Sequence, residues 1–483
     1  MNAIRSHCTS RVLLLVVGAL LCARAAFAQE ARLTGSFTSG GFRGPSEAET
    51  LWSAGAFAGG SKEWPDLILR GHFGFTQEYG TAMCGSMFTQ PGYYPVDVLE
   101  FTPGDKNRQR YDIGGGLAWK NAGRWMPGAD VNFRGVNYAK RKDLRHTTYR
   151  QELSLSPFLA YKADDWRVEM RYTFGKTSEF IQAEQIGPAR ADSYYAFLDK
   201  GLFFGTYQAW DGSGVHLAEP GVDRFPVNEL SHGVSLSAEG FGLEASAGFT
   251  YSAGEVGEKG YNWFRFPTYK LNALLAWNFR TGDLGHRLEG TLDWISRKLY
   301  ENVIEKVNDG GVTTPSIQGS NRIFAEKWMQ IGLTYRLTGK SGWQAEAFVR
   351  SDGGNKMSTL MFPYADYDVA CHLEGGLAGE LPLGAFLLKG GCSVGSLVGS
   401  RDDRLIDEDL SVGVSSEPFR LTEWFEKDAE WTDALRMGLS LALRYNFKTF
   451  YLEAGCDWTH AFGVQHLPGA DRQTTQITIG YKW

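Results

Sequence analysis

Apolar and polar side chains alternate with a period of two along most of this sequence. In the stretch "MGLSLALRYNF", small or polar residues separate the apolar side chains of Met437, Leu439, Leu441, Leu443 and Tyr445. Successive side chains of a β-strand point to opposite faces, whereas a helix repeats every 3.6 residues. The pattern therefore predicts strands that have one apolar face and one polar face.

The alternating runs come in pairs that are joined by short polar links. Each run has about ten residues, which is the length that a tilted strand needs to cross a bilayer. Strands of soluble β-sandwiches are usually shorter. Aromatic residues such as Trp277, Trp294, Tyr335 and Trp458 stand at the ends of the apolar faces, as in interfacial girdles. The predicted links are 59–65, 120–124, 162–165, 239–242, 280–286, 338–342, 380–384 and the junction between Phe447 and Phe450.

These pairs predict an all-β fold, a transmembrane antiparallel β-barrel of about 18 strands, with 16 as the alternative count. The eight paired runs supply sixteen strands, "RLTGSF" at 32–37 is the first strand, and the stretch at 476–483 is the last. In such barrels short turns face the periplasm and long loops face outward. The longest predicted extracellular loops are about 176–230, 397–433 and 78–109.

The first residues have the features of a secretory signal peptide. Arg5 and Arg11 precede the apolar run "VLLLVVGALLCA", and "AFA" fits a cleavage site before Gln29. We therefore predict a signal peptide over 1–28 and a single outer-membrane barrel domain over 29–483. Few residues separate the cleavage site from the first strand, so we expect no plug-sized domain, which disfavours a TonB-dependent receptor.

Composition and motifs exclude several other classes of function. The net charge of −6 gives no reason to expect nucleic acid as a partner. The sequence has no phosphate-binding loop, no nucleotide fingerprint and no Cys/His spacing typical of zinc. We therefore expect no cofactor, no metal and no catalytic residues, and an enzyme at the barrel rim is the least favoured class.

Charged side chains of both signs recur on the polar face of the predicted strands. A strongly selective pore would carry rings of one sign. Two interpretations stay open: cross-strand ion pairs that line a lumen, or a ladder of charges that binds a polar solute. The predicted lumen-lining residues are Arg70, Asp112, Asp130, Arg134, Arg167, Glu169, Arg171, Glu289, Asp293, Arg336, Glu346, Arg350, Arg444, Glu453 and Asp457.

One predicted loop is rich in aromatic residues. Such a cluster should not lie bare in water. It could fold inward as a constriction, dock a partner or stack on sugar rings. Its members are Tyr194, Tyr195, Phe203, Phe204, Tyr207 and Trp210.

Two cysteines flank one predicted turn. Cys371 and Cys392 are nearly equidistant from the middle of 380–384, so we expect them to face each other across the hairpin. A disulfide is feasible in an exported protein. A pair of free thiols on the apolar face is the alternative.

The ending "TTQITIGYKW" resembles the terminal signal by which outer-membrane barrels are recognised for assembly. Ile479, Tyr481 and Trp483 carry this resemblance, with Trp483 where Phe is more usual. It implies the barrel-assembly machinery as a partner. The stretches "IGGGLAWKNAGRWMPGADVNFRGV" and "FPVNELSHGVSLSAEGFGLEASAGF" resemble an uncharacterised large-barrel family of Bacteroidales-type bacteria. That resemblance implies the cell outer membrane and an outer-membrane transport partner.

Two functional hypotheses follow for a barrel surrounded by outer-membrane lipid and lipopolysaccharide. The first is a porin-like or transport-associated barrel that handles a polar solute. The second is a non-conducting barrel that serves as a surface interaction or assembly partner, with the loop at 176–230 closing the lumen.

Overall fold

The computed structural model describes residues 29–120, 123–142, 145–184, 195–209, 224–258, 261–309, 312–359, 366–399 and 421–482. Strands dominate this part of the chain, and it contains one helix, α1 (Leu421–Asp433). The strands are β1 (Glu30–Gly40), β2 (Thr50–Glu63), β3 (Leu67–Ser86), β4 (Asp97–Trp119), β5 (Trp125–Lys140), β6 (Arg145–Lys162), β7 (Trp166–Glu184), β8 (Tyr195–Asp199), β9 (Gly205–Ala209), β10 (Arg224–Gly240), β11 (Leu243–Glu258), β12 (Tyr261–Thr281), β13 (Leu284–Asp309), β14 (Val312–Thr338), β15 (Gln344–Ser358), β16 (Asp366–Leu383), β17 (Phe386–Leu397), β18 (Arg436–Phe447), β19 (Phe450–Ala461) and β20 (Asp471–Lys482).

Eighteen of these strands form a closed antiparallel ring. Strands β1–β7 and β10–β20 each pair with their neighbours around the ring, and β20 pairs with β1. In the closing pair Thr34 stands opposite Thr478, and their hydroxyl oxygens are 3.3 Å apart. The predicted fold class, strand count and first strand are therefore confirmed.

A short connection between neighbouring strands lies at or within a few residues of each of the eight predicted links, all at one end of the barrel, which we call the inner end. The link between β10 and β11 consists of Phe241 and Gly242, with φ values of 52° and 78°. Positive φ at both central residues is the signature of a type I′ turn, which matches the twist of the two strands. The other end, where the longer connections lie, is the outer end.

The outward face carries an exposed apolar belt. Leu275, Leu377 and Leu441 each expose 61% of their surface. Trp119 and Trp125 stand beside the turns of the inner end, as in an aromatic girdle. Burial of this belt in lipid removes it from water. No helix in the described ranges is long and apolar enough to span a membrane.

The predicted outer loops were too long, because the strands continue beyond the apolar belt. Of the predicted loop at 78–109, only residues 87–96 connect the strands, since β3 runs to Ser86 and β4 begins at Asp97. The predicted loop at 176–230 likewise begins as strand β7, contains the hairpin β8–β9 and ends as strand β10. Above the belt the outward face no longer meets lipid, and part of the inward face packs against an apolar core, so the alternation of the belt fades while the backbone pairing continues.

The predicted disulfide between Cys371 and Cys392 is wrong. Cys392 stands opposite Leu377, six residues along β16 from Cys371, and both thiols are free and exposed. The reason is the turn, which consists of Gly384 and Ala385 and not of residues 380–384. That displacement shifts the register of the hairpin and separates the cysteines. The alternative of two free thiols on the apolar face is what the structure contains.

Candidate functional site

The connection between β3 and β4 folds into the barrel. We call residues 87–96 the tucked segment. The Tyr93 hydroxyl donates to Glu229 of β10 over 3.1 Å, and Arg297 of β13 donates to the carbonyl oxygens of Gly92 and Tyr93 over 2.8 Å each. The Arg150 guanidinium of β6 lies 3.9 Å from the centre of the Tyr93 ring. Strands so far apart in the wall can reach one segment only from inside, so these side chains define the inward face.

The tucked segment packs into an apolar core inside the outer end of the barrel. Phe88 of the segment and Phe225 of β10 are almost completely buried, with ring centres 6.1 Å apart. Burying one such side chain contributes about 1.5–3 kcal/mol. This core, which we call the mouth cluster, consists of Met87, Phe88, Tyr94, Val96, Val98, Ile181, Ala183, Ala196, Leu198, Leu202, Phe225, Val227, Val256, Trp263, Phe264, Phe266, Leu299, Ile323 and Phe324. Apolar side chains therefore fill the outer end of the lumen beside β7 and β10–β14.

The hairpin β8–β9 extends the closure. Strand β8 pairs with the start of β4. Its turn reaches the opposite wall, where Lys200 forms an ion pair of 2.6 Å with Glu301 of β13. At the turn, Leu202 and Phe203 have φ values of 55° and 61°. The hairpin thus crosses the mouth and does not extend into solvent.

The predicted aromatic cluster belongs in part to this hairpin. Phe203 and Phe204 lie in its turn and are half-buried, and Tyr195 and Tyr207 belong to its two strands. Tyr194 and Trp210 lie outside the described residues. Phe197 of the same aromatic stretch is fully buried against Leu99.

Helix α1 covers the other side of the mouth. The ring of Trp424 is buried and lies 5.7 Å from the ring of Phe101. The Glu430 carboxylate accepts backbone hydrogen bonds from the loop after β19, including those of His466 and Leu467 at 2.7 Å. At the end of the helix, Asp433 lies 3.0 Å from Nε2 of His372, which ties α1 to β16.

Ion pairs among three buried charged side chains connect the start of β4 to β5. Glu100, Lys106 and Lys140 have no exposed side-chain surface. The ammonium of Lys106 lies 2.9 Å from the Glu100 carboxylate, and Lys140 also donates to that carboxylate. Burial raises the pKa of the nearby Cys84 thiol to about 11, and the Glu100 charge adds to this effect. Sequence analysis missed this cluster because it assigned Glu100 and Lys106 to a loop.

A second buried carboxylate lies where β4 meets β8. Asp97 stands directly opposite Asp199 in the pairing of the two strands. Ser86 donates to Asp97 over 2.7 Å, and Asp97 also accepts from the backbone N–H of Val98. Burial raises the pKa of Asp97 to about 7, with smaller contributions from the charges of Asp199 and Glu179. The stability of the contact between strands β4 and β8 should therefore depend on pH.

The structure places the predicted lumen residues on the inward face, below the mouth cluster. This face follows from the side chains that contact the tucked segment and from the alternation along each strand. Most of the charges are paired. The pairs are Arg70–Asp130 at 2.8 Å, Arg171–Asp130 at 2.5 Å, Arg134–Asp112 at 2.6 Å, Arg167–Glu169 at 2.7 Å, Arg336–Glu346 at 2.7 Å and Arg444–Glu453 at 2.7 Å.

The remaining predicted lumen residues have other surroundings. Glu289 forms an ion pair of 2.8 Å with Arg287 of the same strand. The guanidinium of Arg350 lies 4.9 Å from the centre of the Phe348 ring. Asp293 lies on the inward face of β13, on the same side of that strand as Arg297. Asp457 lines a cavity in the lumen.

Among the cavities in the described part of the chain, two adjoin the paired charges of the lumen and the apolar closure. The first, the lumen cavity, has a volume of about 400 Å³ and is lined from β14 to β20 by polar and charged groups that include Arg336, Lys389, Glu453 and Asp457. The second, the mouth cavity, has a volume of about 470 Å³. It lies between the tucked segment, the hairpin turn, α1 and the wall. Polar space thus remains beside the apolar closure.

The closed ring and the outward apolar belt define the class of this protein as a transmembrane β-barrel of the outer-membrane type. The chain belongs to a family of unknown function (DUF6850), whose model matches residues 27–483. No curated protein matches the sequence. The family description names no source organism, so the resemblance to a Bacteroidales-type family stays a prediction.

Comparison with solved structures finds matches of low sequence identity, with TM-scores below 0.5. The outer membrane transporter YddB from Escherichia coli has 6% identity and a TM-score of 0.42 over 95% of this chain and 81% of its own. FpvA of P. aeruginosa has 8% identity and a TM-score of 0.41 over 94% and 72%. CdiB from Acinetobacter baumannii has 10% identity and a TM-score of 0.37 over 94% of this chain, which spans 60% of the length of CdiB.

Three further sequence predictions concern the ends of the chain. Residues 1–28, the predicted signal peptide, and Trp483 lie outside the described residues. Ile479 and Tyr481 belong to β20 and pair with β1 opposite Leu33 and Ala31. The role of this strand as an assembly signal stays a prediction.

Replacing Glu100 by Gln should destabilise the outer end of the barrel. The substitution leaves two buried ammonium groups without a carboxylate, and breaking a buried pair in this way costs about 3–5 kcal/mol. The free energy of unfolding, measured by urea denaturation in detergent micelles with tryptophan fluorescence, should fall accordingly. The matched control is Glu63→Gln, which breaks an exposed pair with Lys120 and should leave the midpoint unchanged. Equal midpoints for both variants would contradict the assignment.

Asp97 should make stability depend on pH. Its pKa is about 7 in the folded protein and 3.8 for the ordinary group, so the folded state retains a proton that the unfolded state loses. The free energy of unfolding should therefore fall as pH rises from about 4 to about 7, by on the order of 2–3 kcal/mol between pH 5 and 8. Above the folded pKa this contribution is constant. The measurement is a series of urea unfolding curves across this pH range.

The control for this pH dependence is Asp97→Asn, which keeps the shape of the side chain and removes its titration. The difference in unfolding free energy between the unmodified protein and the Asp97→Asn variant should change between pH 5 and pH 7. A difference that stays constant from pH 5 to 8 contradicts a titrating Asp97.

Proposed function

We propose that this protein is a transport-associated barrel of the cell outer membrane that passes a polar solute, with its outer entrance closed at rest. The outward apolar belt supports a membrane location, because a closed sheet satisfies its backbone hydrogen bonds in lipid. The predicted signal peptide supports export. Outer-membrane lipid and lipopolysaccharide then surround the barrel, and the barrel-assembly machinery and an outer-membrane transport partner are part of the same proposal.

The observation that carries the proposal is the unequal filling of the barrel. An apolar core fills the outer end beside β7 and β10–β14, whereas a polar cavity of about 400 Å³ follows the wall from β14 to β20. Paired charges of both signs line that cavity, such as Arg336 with Glu346 and Lys389 with Glu453. Such a lining hydrates polar groups and does not select one sign of charge. This lining therefore suits a polar solute better than an ion of one sign.

Hydrogen bonds to the wall hold the tip of the tucked segment. Arg297 binds two carbonyl oxygens, Glu229 accepts from Tyr93, and Glu179 accepts from the backbone N–H of Thr89 over 2.8 Å. Each such bond contributes about 0.5–1.5 kcal/mol, or up to 3 kcal/mol where a charge takes part. Weakening these bonds therefore lowers the free energy that holds the segment in its closed position, to which the apolar packing of Phe88 also contributes.

The second candidate is a non-conducting barrel that presents a surface to a partner. The mouth cluster favours it, because nineteen buried apolar residues form a closure as well packed as a protein core. In this candidate the tucked segment and the hairpin β8–β9 never leave the lumen. The described part of 176–230 contributes to that closure through the hairpin.

Loosening the tucked segment should distinguish the two candidates. In planar bilayers the unmodified protein should show low conductance. Arg297→Gln removes the two charged hydrogen bonds to the segment, so the fraction of time spent open should rise about tenfold. Replacing residues 88–95 by Gly-Ser-Gly should give steady currents, because it removes the part of the closure that packs inside the lumen.

The matched control is Arg350→Gln, which removes another inward arginine whose described ring contact is with Phe348. Its conductance should equal that of the unmodified protein. Heat-modified migration on gels shows whether each variant forms a folded barrel. A folded barrel that lacks residues 88–95 and still carries no current would refute the transport proposal and favour the non-conducting barrel.

A further inference from the structure

The mouth cavity combines aromatic surface with polar groups from four separate elements. Trp328 of β14 and Trp431 of α1 line it, and both are half-buried. Asp352 and Lys356 of β15 lie on the same inward face, four residues apart. Its volume of about 470 Å³ falls within the range of small-molecule sites. The cavity thus has the size and the mixed aromatic and polar lining of a small-molecule site.

We propose that the mouth cavity is a binding site for a neutral saccharide, the polar solute that the barrel handles. The inference rests on the proposed function and names the class of its substrate. It follows from the aromatic surfaces, the balance of charge and the position of the cavity, taken in turn below.

The aromatic surfaces suit the C–H faces of a sugar ring. Rigid aromatic side chains offer a large contact area at a small cost in conformational entropy. The Lys356 ammonium lies over the Trp328 ring, 5.4 Å from its centre, so a charged donor stands at one face of that indole. Trp431 of α1 contributes a second indole to the lining. Aromatic surface from two elements is thus available to a sugar ring.

The charges around the cavity are nearly balanced. The acidic groups are Asp199, Asp352, Asp428 and Asp97, the last of which has a pKa raised by burial to about 7, and the cationic groups are those of Arg297, Lys356 and Arg436 beside His372. A hydroxyl group both donates and accepts, so a sugar can bind to carboxylates and to cations at once. A strongly charged ligand would need an excess of the opposite sign. The balance therefore favours a neutral, many-hydroxyl ligand.

Asp352 is the side chain best placed to bind a hydroxyl. It belongs to the inward face, yet 41% of its side-chain surface is exposed, because it borders the cavity. One of its oxygens lies 3.2 Å from Nδ1 of His372, which fixes the carboxylate in position. A carboxylate retains further lone pairs when it accepts one hydrogen bond. It can therefore accept from the solute without losing its contact with the wall.

The position of the cavity connects binding to the closure. The tucked segment forms one wall through Pro91, Gly92 and Tyr94, and Arg297 borders the cavity while it binds that segment. A solute in this site would contact the groups that hold the entrance closed. The site thus precedes the lumen cavity on the path from the outer end.

The test is a binding measurement on the full chain in detergent micelles. An array of neutral oligosaccharides with gluco-, manno- and xylo-configured chains identifies a binder, and titration calorimetry measures its affinity beside that of an oligogalacturonate of equal length. We expect saturable binding of a neutral oligosaccharide and at least about tenfold weaker binding of the acidic one. The absence of any neutral binder on the array would overturn the proposal.

Variants locate the site. Trp328→Ala and Asp352→Asn should each weaken the binding about tenfold, whereas Trp328→Phe should retain most of it because the aromatic surface remains. The control is Trp52→Ala on the outward face, where 58% of the side chain is exposed. Binding that none of the cavity variants weakens would overturn the assignment of the site.

The conductance experiment separates failure of this inference from failure of the proposed function. If the barrel lacking residues 88–95 conducts and no neutral saccharide binds, the substrate class is wrong and the transport function stands. If a saccharide binds in the mouth cavity and that barrel carries no current, the site stands and the barrel is a receptor surface without a pore.

Discussion

Hydrocarbon offers no hydrogen-bond partner to a peptide group, and the rest of this structure depends on that constraint. An open sheet would leave the N–H and C=O groups of its two edges unpaired in lipid, so the first and last strands must meet. They do so along the whole of β1, where Glu30 stands opposite Lys482 and Gly40 opposite Arg472. Closure then fixes which face meets lipid and which faces the interior. It also leaves the interior as the place where an outer loop can be buried.

The interior of this barrel has two parts with different physical character. The apolar core at the outer end stabilises the tucked segment as the core of a soluble domain would, whereas the wall from β14 to β20 keeps a wet, charged surface. The buried charges of Glu100, Lys106 and Lys140 strengthen the first part, because each ammonium depends on one carboxylate. A stable closure beside a polar path is the arrangement expected of an entrance that opens on demand.

The bilayer explains why the sequence alone predicted so much of the fold. A strand in lipid needs an apolar side chain at every second position, so the spacing of Leu439, Leu441 and Leu443 shows directly that these side chains face the lipid. Outside the membrane this requirement no longer applies. For that reason the sequence pattern predicts a loop where strands β3 and β4 in fact continue. The contacts of the tucked segment were beyond prediction for another reason. Tyr93 and its partners Glu229 and Arg297 are separated by 136 and 204 residues, and only the closed ring brings them together.

The central claim is that β1 and β20 close the barrel, and an engineered disulfide tests it most directly. In a variant without the native cysteines, Thr34→Cys with Thr478→Cys places two thiols at directly paired positions, whereas Thr34→Cys with Thr474→Cys separates them by four residues along the strand, or about 13 Å. After oxidation in membranes, mass spectrometry should find the cross-link in the first pair and not in the second. A first pair that stays reduced, or equal cross-linking of both pairs, would contradict a closed ring in this register.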